Sequence, residues 1–186
     1  MSILLTNKNI LESDAKAIVL TIDGYKEGME GNIARAFALK YPNVYDEVEA
    51  ELIYPISIGT ISHIKVDKSL ECNFSDIIFA STLDHKDILS DLQRCQSVSN
   101  AFSEVISLIS KRNISSVTTA VMTGGWRLPF DIAFRHMIEG YQKTKYNLKR
   151  IPVIEICIFD KKDYEKAIKI ALELGLSHTE SKKKEL

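Results

Sequence analysis

The run AIVLTI at residues 17–22 is apolar at every position except Thr21, and that continuity constrains the fold more than any other feature of the chain. A strand that is apolar on both faces must be covered on both, as happens where helices pack above and below a mostly parallel sheet. Short apolar runs recur at residues 3–5 (ILL), 76–82 (DIIFAST), 114–122 (ISSVTTAVM) and 152–159 (PVIEICIF). Between them the hydrophobic period changes to the three-and-four spacing of helices.

Ile33, Phe37 and Tyr41 stand at steps of four with Ala34 and Ala38 beside them, and Pro42 closes that helix. Residues 43–52 (NVYDEVEAEL) read as a second short helix, and residues 58–66 (IGTISHIKV) as an outer strand. The longest helix spans residues 90–111, with Ser90 able to cap its start and Leu92, Cys95, Val98, Phe102, Val105 and Ile109 on one face. Residues 129–143 form a helix with Pro129 in the tolerated first turn, and residues 162–174 form the closing helix. Strands and helices in alternation predict a three-layer α/β/α sandwich with a mixed, mostly parallel central sheet.

A chain of 186 residues suits one domain, expected over residues 1–176 with a flexible polar tail at 177–186. The net charge of −1 supplies no broad electrostatic pull on nucleic acid, so any polyanion contact has to be local. Cys72, Cys95 and Cys157 are odd in number and widely spaced, which predicts reduced thiols and a cytoplasmic protein. No CxxC or HExxH stands in the chain and its four histidines are scattered, so no metal is expected. No basic leader precedes an apolar stretch at the N-terminus, and no apolar run approaches the roughly 18 residues of a membrane span.

Two glycine-bearing loops lie where strands hand over to helices, the place where open α/β sheets collect ligands. The first, DGYKEGMEGNIARAF at residues 23–37, carries Gly24, Gly28 and Gly31, and the second, TGGWRLP at residues 123–129, carries Gly124 and Gly125. Backbone amides freed of a Cβ, together with a helix N-terminus, suit a phosphate, and two such loops suit a diphosphate. Neither matches GxxxxGK[ST] or GxGxxG, so the standard mononucleotide and dinucleotide fingerprints are absent and no bound cofactor is expected.

These words, in this order, resemble the macrodomain family, the ADP-ribose-binding α/β/α module, over residues 3–174. KAIVLTID at residues 16–23 resembles the family's DAIVNAAN strand, GMEGNIARAF resembles its GVxGAIxRAxG loop, and MTGGWRLP resembles its STGIFGxP loop. The stretch from Ala36 to Thr60 is similar to the branch of DNA ADP-ribosyl hydrolase antitoxins. The resemblance implies binding of ADP-ribose, free or carried on a modified macromolecule. Gly28, Glu30, Gly31, Asn32 and Ile33, with Thr123, Gly124, Gly125, Trp126 and Arg127, would then wrap the diphosphate and distal ribose. Trp126 would roof that ribose, Asn9 and Ile10 would meet the adenine edge, and Phe159 would cover the adenine face.

Departures from the family pattern bear on catalysis. Asn9 stands for an aspartate, Leu20 and Asp23 stand where the strand ends in asparagines, and Leu83 follows Thr82 where the antitoxin branch has a lysine. Asp23 is the candidate catalytic residue, with capping of its own loop as the alternative role. His85 and Lys86 are candidate substitutes for the lost lysine, with solvated loop positions as the alternative. Phe159 reads equally as a core residue at a strand end, and Arg127 equally as a solvated loop residue. Hydrolysis of an ADP-ribosyl bond and a non-catalytic scaffold whose pocket is filled by Trp126 or Tyr25 are the competing functions.

Overall fold

The computed structural model describes residues 3–25, 31–86, 88–146, 148, 152–176 and 178–180. The first strand, β1 (Ile3–Thr6), is followed by a 3-10 turn at Ile10–Glu12, and β2 (Ala17–Asp23) then crosses the centre of the molecule. Next come α1 (Asn32–Lys40), α2 (Pro42–Ala50), β3 (Ile61–Lys65), β4 (Asp76–Leu83) and α3 (Asp91–Lys111). The chain continues through β5 (Ser116–Thr119), α4 (Phe130–Lys145), β6 (Val153–Cys157), α5 (Lys161–Glu173) and β7 (His178–Glu180). Among the described residues no helix is long and apolar enough to cross a membrane.

The sheet order is β3-β4-β2-β5-β6-β1-β7, parallel throughout except for the edge strand β3, which runs antiparallel to β4. Alternate residues feed two cores. Val19, Ile78, Val117 and Ile156 pack under α3, α4 and α5, while Ile18, Leu20, Ile77 and Phe79 pack under α1 and α2. The predicted mixed sandwich is therefore the observed one, and the unbroken apolar run of β2 is explained by a helical layer on each side.

Local signals set the ends of the elements. Pro42 occupies the first turn of α2 and, having no amide hydrogen, stops α1 where the sequence puts its end. Ser90 and Gln93 form a reciprocal capping box at the start of α3, with Gln93 N donating to Ser90 Oγ at 3.3 Å and Ser90 N to Gln93 Oε1 at 2.9 Å.

Three expectations are corrected. Leu92 is expected on the buried face of α3 but is 76% exposed, because at roughly 100° per residue it stands to one side of the stripe that Val98, Phe102, Val105 and Ile109 bury. The strand read over residues 114–122 is shorter, since β5 ends at Thr119 and residues 120–122 leave the ladder for the site described below. The domain boundary drawn after residue 176 falls before β7, whose residues His178 to Glu180 pair in parallel with Ile3 to Leu5. HTE carries no apolar pattern, and its pairing rests on the backbone bonds that the open edge of β1 offers. Residues 181–186 lie outside the described residues.

A buried carboxylate ties the segment after β1 to the sheet. Glu155 of β6 accepts from Thr6 Oγ1 at 3.2 Å, from Ser13 Oγ, and from Lys8 Nζ at 2.8 Å. Burial alone would lower the Lys8 ammonium, but hydrogen bonding and attraction from Glu155 outweigh it and hold the group above its ordinary value of 10.5. Its contribution is therefore complete below that value and lost as the pH rises through the higher folded one. Glu155→Ala, which strands three donors, is expected to cost about 2 kcal/mol of stability, read by urea denaturation at neutral pH.

Candidate functional site

At the carboxyl ends of β2, β4, β5 and β6 the surface opens into two adjoining lobes. The first encloses about 370 Å³ between the starts of α4 and α5, and Leu128, Phe130, Ile158, Phe159, Asp160 and Asp163 are among its walls. The second encloses about 410 Å³ beside the start of α1, lined by Thr21, Gly31, Asn32, Ile33, Leu83, His85 and Gly125. Val121, Thr123 and Trp126 line both. The shared wall makes one elongated cleft from two pockets, with room for a ligand that has a head at each end.

The second glycine loop forms the middle of the cleft because its backbone turns left-handed. Gly124, Gly125 and Trp126 have φ of 63°, 70° and 73°, and the turn is closed by Leu128 N donating to Thr123 O at 3.0 Å. Two glycines take that conformation without strain, whereas Trp126 bears a cost of order 1 kcal/mol, a cost that clusters at functional sites. Trp126 is 83% exposed and Tyr25 56% exposed, so neither residue is packed into the cleft as the scaffold reading required. Arg127 is exposed and lines neither lobe.

The second lobe ends at a helix start with no side-chain cap. Gly31 is the N-cap of α1 and, having no side chain, makes no cap bond to the first amides, and a helix start of this kind attracts an anion. Gly31 also lies against β2 so closely that a Cβ there would sit 2.2 Å from the carbonyl oxygen of Thr21. Gly28 and Glu30, expected in the same loop, lie outside the described residues.

The opposite end is an aromatic shelf. Phe159 is 82% exposed and lines the first lobe, so its reading as a core residue is corrected: the chain leaves β6 at Cys157 and the ring passes the end of the sheet. Asn7 holds it there, its side-chain amide donating to Ile158 O at 2.7 Å and Phe159 O at 2.9 Å. The sequence reading missed Asn7 because its partners are far along the chain and only the pairing of β1 with β6 brings them near.

Asn9 and Ile10 line neither lobe. Asn9 Oδ1 accepts from Leu11 N at 3.0 Å as the cap of the 3-10 turn, and Ile10 is buried in the core under α1 and α2.

Asp23 is 2% exposed and sits behind the second lobe rather than on its wall. A register shift between Ile22 and Asp23 pairs it with Leu83. One oxygen accepts from Tyr25 N at 2.9 Å, the capping role offered as the alternative, and the other lies 3.9 Å from His85 Nε2. His85 itself lines the lobe, whereas Lys86 stands with its ammonium 5.3 Å from the centre of the Tyr25 ring. Sequence reasoning had grouped these two neighbours, and the turn after β4 separates them.

No protein-family model and no curated protein sequence matches the chain. Solved structures do. The macrodomain of Oceanobacillus iheyensis with ADP superposes with a TM-score of 0.75 at 13% identity, over 91% of this chain and 90% of that one. The macrodomain of Mycobacterium tuberculosis DarG superposes with a TM-score of 0.59 at 20% identity, over 82% of this chain and 96% of that one. An alphavirus structure described as P23pro-zbd gives a TM-score of 0.69 at 19% identity; 99% of this chain is covered but only 25% of the viral one. The α/β/α sandwich with its cleft at the carboxyl ends of the parallel strands is a macrodomain fold.

Proposed function

We propose that the cleft binds ADP-ribose or a related nucleotide diphosphate, with the base in the first lobe, the diphosphate along residues 123–126 and the distal ribose in the second lobe. The observation that carries this reading is the two-lobed cleft, walled by an exposed aromatic at one end and an uncapped helix start at the other. Charge supports the same orientation: Asp160 and Asp163 repel phosphates from the first lobe, and the positive end of α1 attracts them toward the second. The Oceanobacillus neighbour was solved with ADP, which supports the ligand class. A macromolecule carrying ADP-ribose would present the same group from the open side of the second lobe. The three free cysteines suit a reducing, cytoplasmic setting.

Calorimetric titration with ADP-ribose is expected to give a saturable one-to-one complex, and no heat at millimolar ligand would overturn the proposal. Phe159→Ala is expected to weaken binding about tenfold, since stacking a base on an aromatic ring is worth about 1–3 kcal/mol. An unchanged affinity would remove the base from this shelf.

Hydrolysis of an ADP-ribosyl bond is the second reading, and one contact favours it: His85 lines the wall where the distal ribose would lie, and the Asp23 carboxylate stands behind it at 3.9 Å. In this reading His85 takes a proton from the water that attacks the anomeric carbon, the bond from that carbon to the modified group breaks with its electron pair staying on the leaving group, which takes up a proton, and Asp23 orients the imidazole ring. Release of labelled ADP-ribose from a modified protein or oligonucleotide, lost in His85→Ala and reduced in Asp23→Ala, is the expected result. Substrate that stays intact, or release unchanged in both variants, removes this reading without touching the binding one.

A further inference from the structure

We infer that a third pocket, over β1 and β6 on the face away from α4 and α5, binds a free α-amino acid with an aliphatic side chain. It encloses about 390 Å³ and shares no described lining residue with either lobe of the cleft. That size falls in the range of roughly 300–1,000 Å³ that takes small molecules. Its origin lies in the alternation of the strands. Ile3, Leu5, Ile154 and Ile156 point into the core under α4 and α5, so Leu4, Thr6, Val153 and Glu155 point to the other face. No described helix residue lines the pocket; the segment between β1 and β2 crosses that face instead and supplies Lys8, Asp14 and Ala15.

Three groups in the pocket keep hydrogen-bonding capacity, and their preferences are opposed. Lys8 Nζ lies 2.8 Å from Glu155 Oε1 and spends one of its three donors there, so two remain for a ligand. Ser116 Oγ accepts from Lys16 N at 3.0 Å and keeps its own hydrogen to give. Together they make a place for a carboxylate. Glu155 is filled: it is buried, already accepts from Thr6, Ser13 and Lys8, and serves to fix the ammonium. Asp14 is the opposite case, exposed and with no hydrogen bond or close ion pair among the described residues. Its ionised carboxylate only accepts, and it suits an ammonium. Attraction from Asp14 is among the causes that hold the Lys8 ammonium above its ordinary value, which places the two charges near one another, as a carboxylate and an ammonium on one carbon require. Leu4, Ala15 and Val153 add aliphatic surface. A zwitterion with an aliphatic side chain answers all of these groups. A simple amine leaves Lys8 unanswered, and a simple acid meets Asp14 with no counter-charge.

The test is a titration of the whole protein with L-leucine, read by the shifts of the Leu4, Ser116 and Val153 backbone amides. Isoamylamine and isocaproate, which each lack one of the two charged groups of leucine, are titrated beside it. Leucine is expected to bind saturably at millimolar concentration or below, and each analogue about tenfold more weakly, the size of one charge-assisted hydrogen bond. Asp14→Asn, at an exposed position with no bond to lose, is expected to weaken leucine about tenfold and to bind isocaproate no more weakly. Lys8→Met is expected to weaken leucine and to bind isoamylamine no more weakly. A thermal melt checks that each variant folds, and should Lys8→Met fail there, Asp14→Asn decides alone. No saturable shift at tens of millimolar leucine overturns the inference, as does an analogue that binds as tightly as leucine. An Asp14→Asn protein that binds leucine like the wild type overturns it too. None of these outcomes bears on the cleft, which has no wall in common with this pocket.

Discussion

Asp84→Ala is expected to lower the unfolding free energy by about 3 kcal/mol, the low end of what breaking a buried ion pair costs. Asp84 and Arg94 are both buried, with Arg94 Nη2 3.3 Å from the Asp84 carboxylate. The same carboxylate accepts from Leu89 N at 2.9 Å and Ile88 N at 3.4 Å, so it ties the turn that carries His85 to the start of α3. Removing it takes the acceptor from two amides and one acceptor from a buried guanidinium that keeps Asp91 Oδ1 at 3.0 Å, a larger loss than the pair's own net worth. Burial pushes the Asp84 carboxyl up, but the two amides and the guanidinium outweigh it and hold it below its ordinary value of 3.8. A depressed carboxylate contributes fully above that value and loses its contribution as the pH falls through the folded one. The gap in stability between wild type and Asp84→Ala, followed by urea denaturation, should therefore be full at neutral pH and narrow in acid below 3.8. A gap that is constant across that range would mean that the charge of Asp84 contributes nothing.

Gly31→Ala is expected to weaken ADP-ribose binding by roughly tenfold to a hundredfold, the loss of one charge-assisted bond from an amide to a phosphate. The added Cβ would stand 2.2 Å from the Thr21 carbonyl oxygen, a backbone atom that no rotamer change can move aside. Either α1 or the end of β2 must shift, and both line the second lobe. Such overpacking also costs about 1–3 kcal/mol of stability, to which alanine in place of glycine at an N-cap adds roughly 0.5–1 kcal/mol. The two effects separate experimentally: calorimetry on protein that still melts cooperatively reads the lobe, and the melting temperature reads the packing.

The three-layer class, the outer position of β3 and the α-helices from α1 to α5 were legible in the sequence because the hydrophobic period is a short-range property. Phe37 and Ala38 mark the buried face of α1 whatever the rest of the chain does. The edges were less legible. Leu92 stands three residues before Cys95 but to one side of the buried stripe, and β7 pairs through its backbone with no side-chain signature. The second glycine loop was the most legible part of the site, since GlyGly before Trp126 is needed for a left-handed turn.

The sequence by itself determined the fold class and the position of both loops, because strand, turn and helix preferences are set by neighbours within a few residues. Only the tertiary structure decided which polar atoms face the cleft. Asn9 turns to its own 3-10 turn, Asp23 withdraws behind His85, Phe159 passes the sheet edge under the hold of Asn7, and Asp160 and Asp163 come to line the base lobe. A hydrogen-bonding group can be read as available only after its partners are known, and here several of those partners come from distant parts of the chain, where the sheet order alone brings them together.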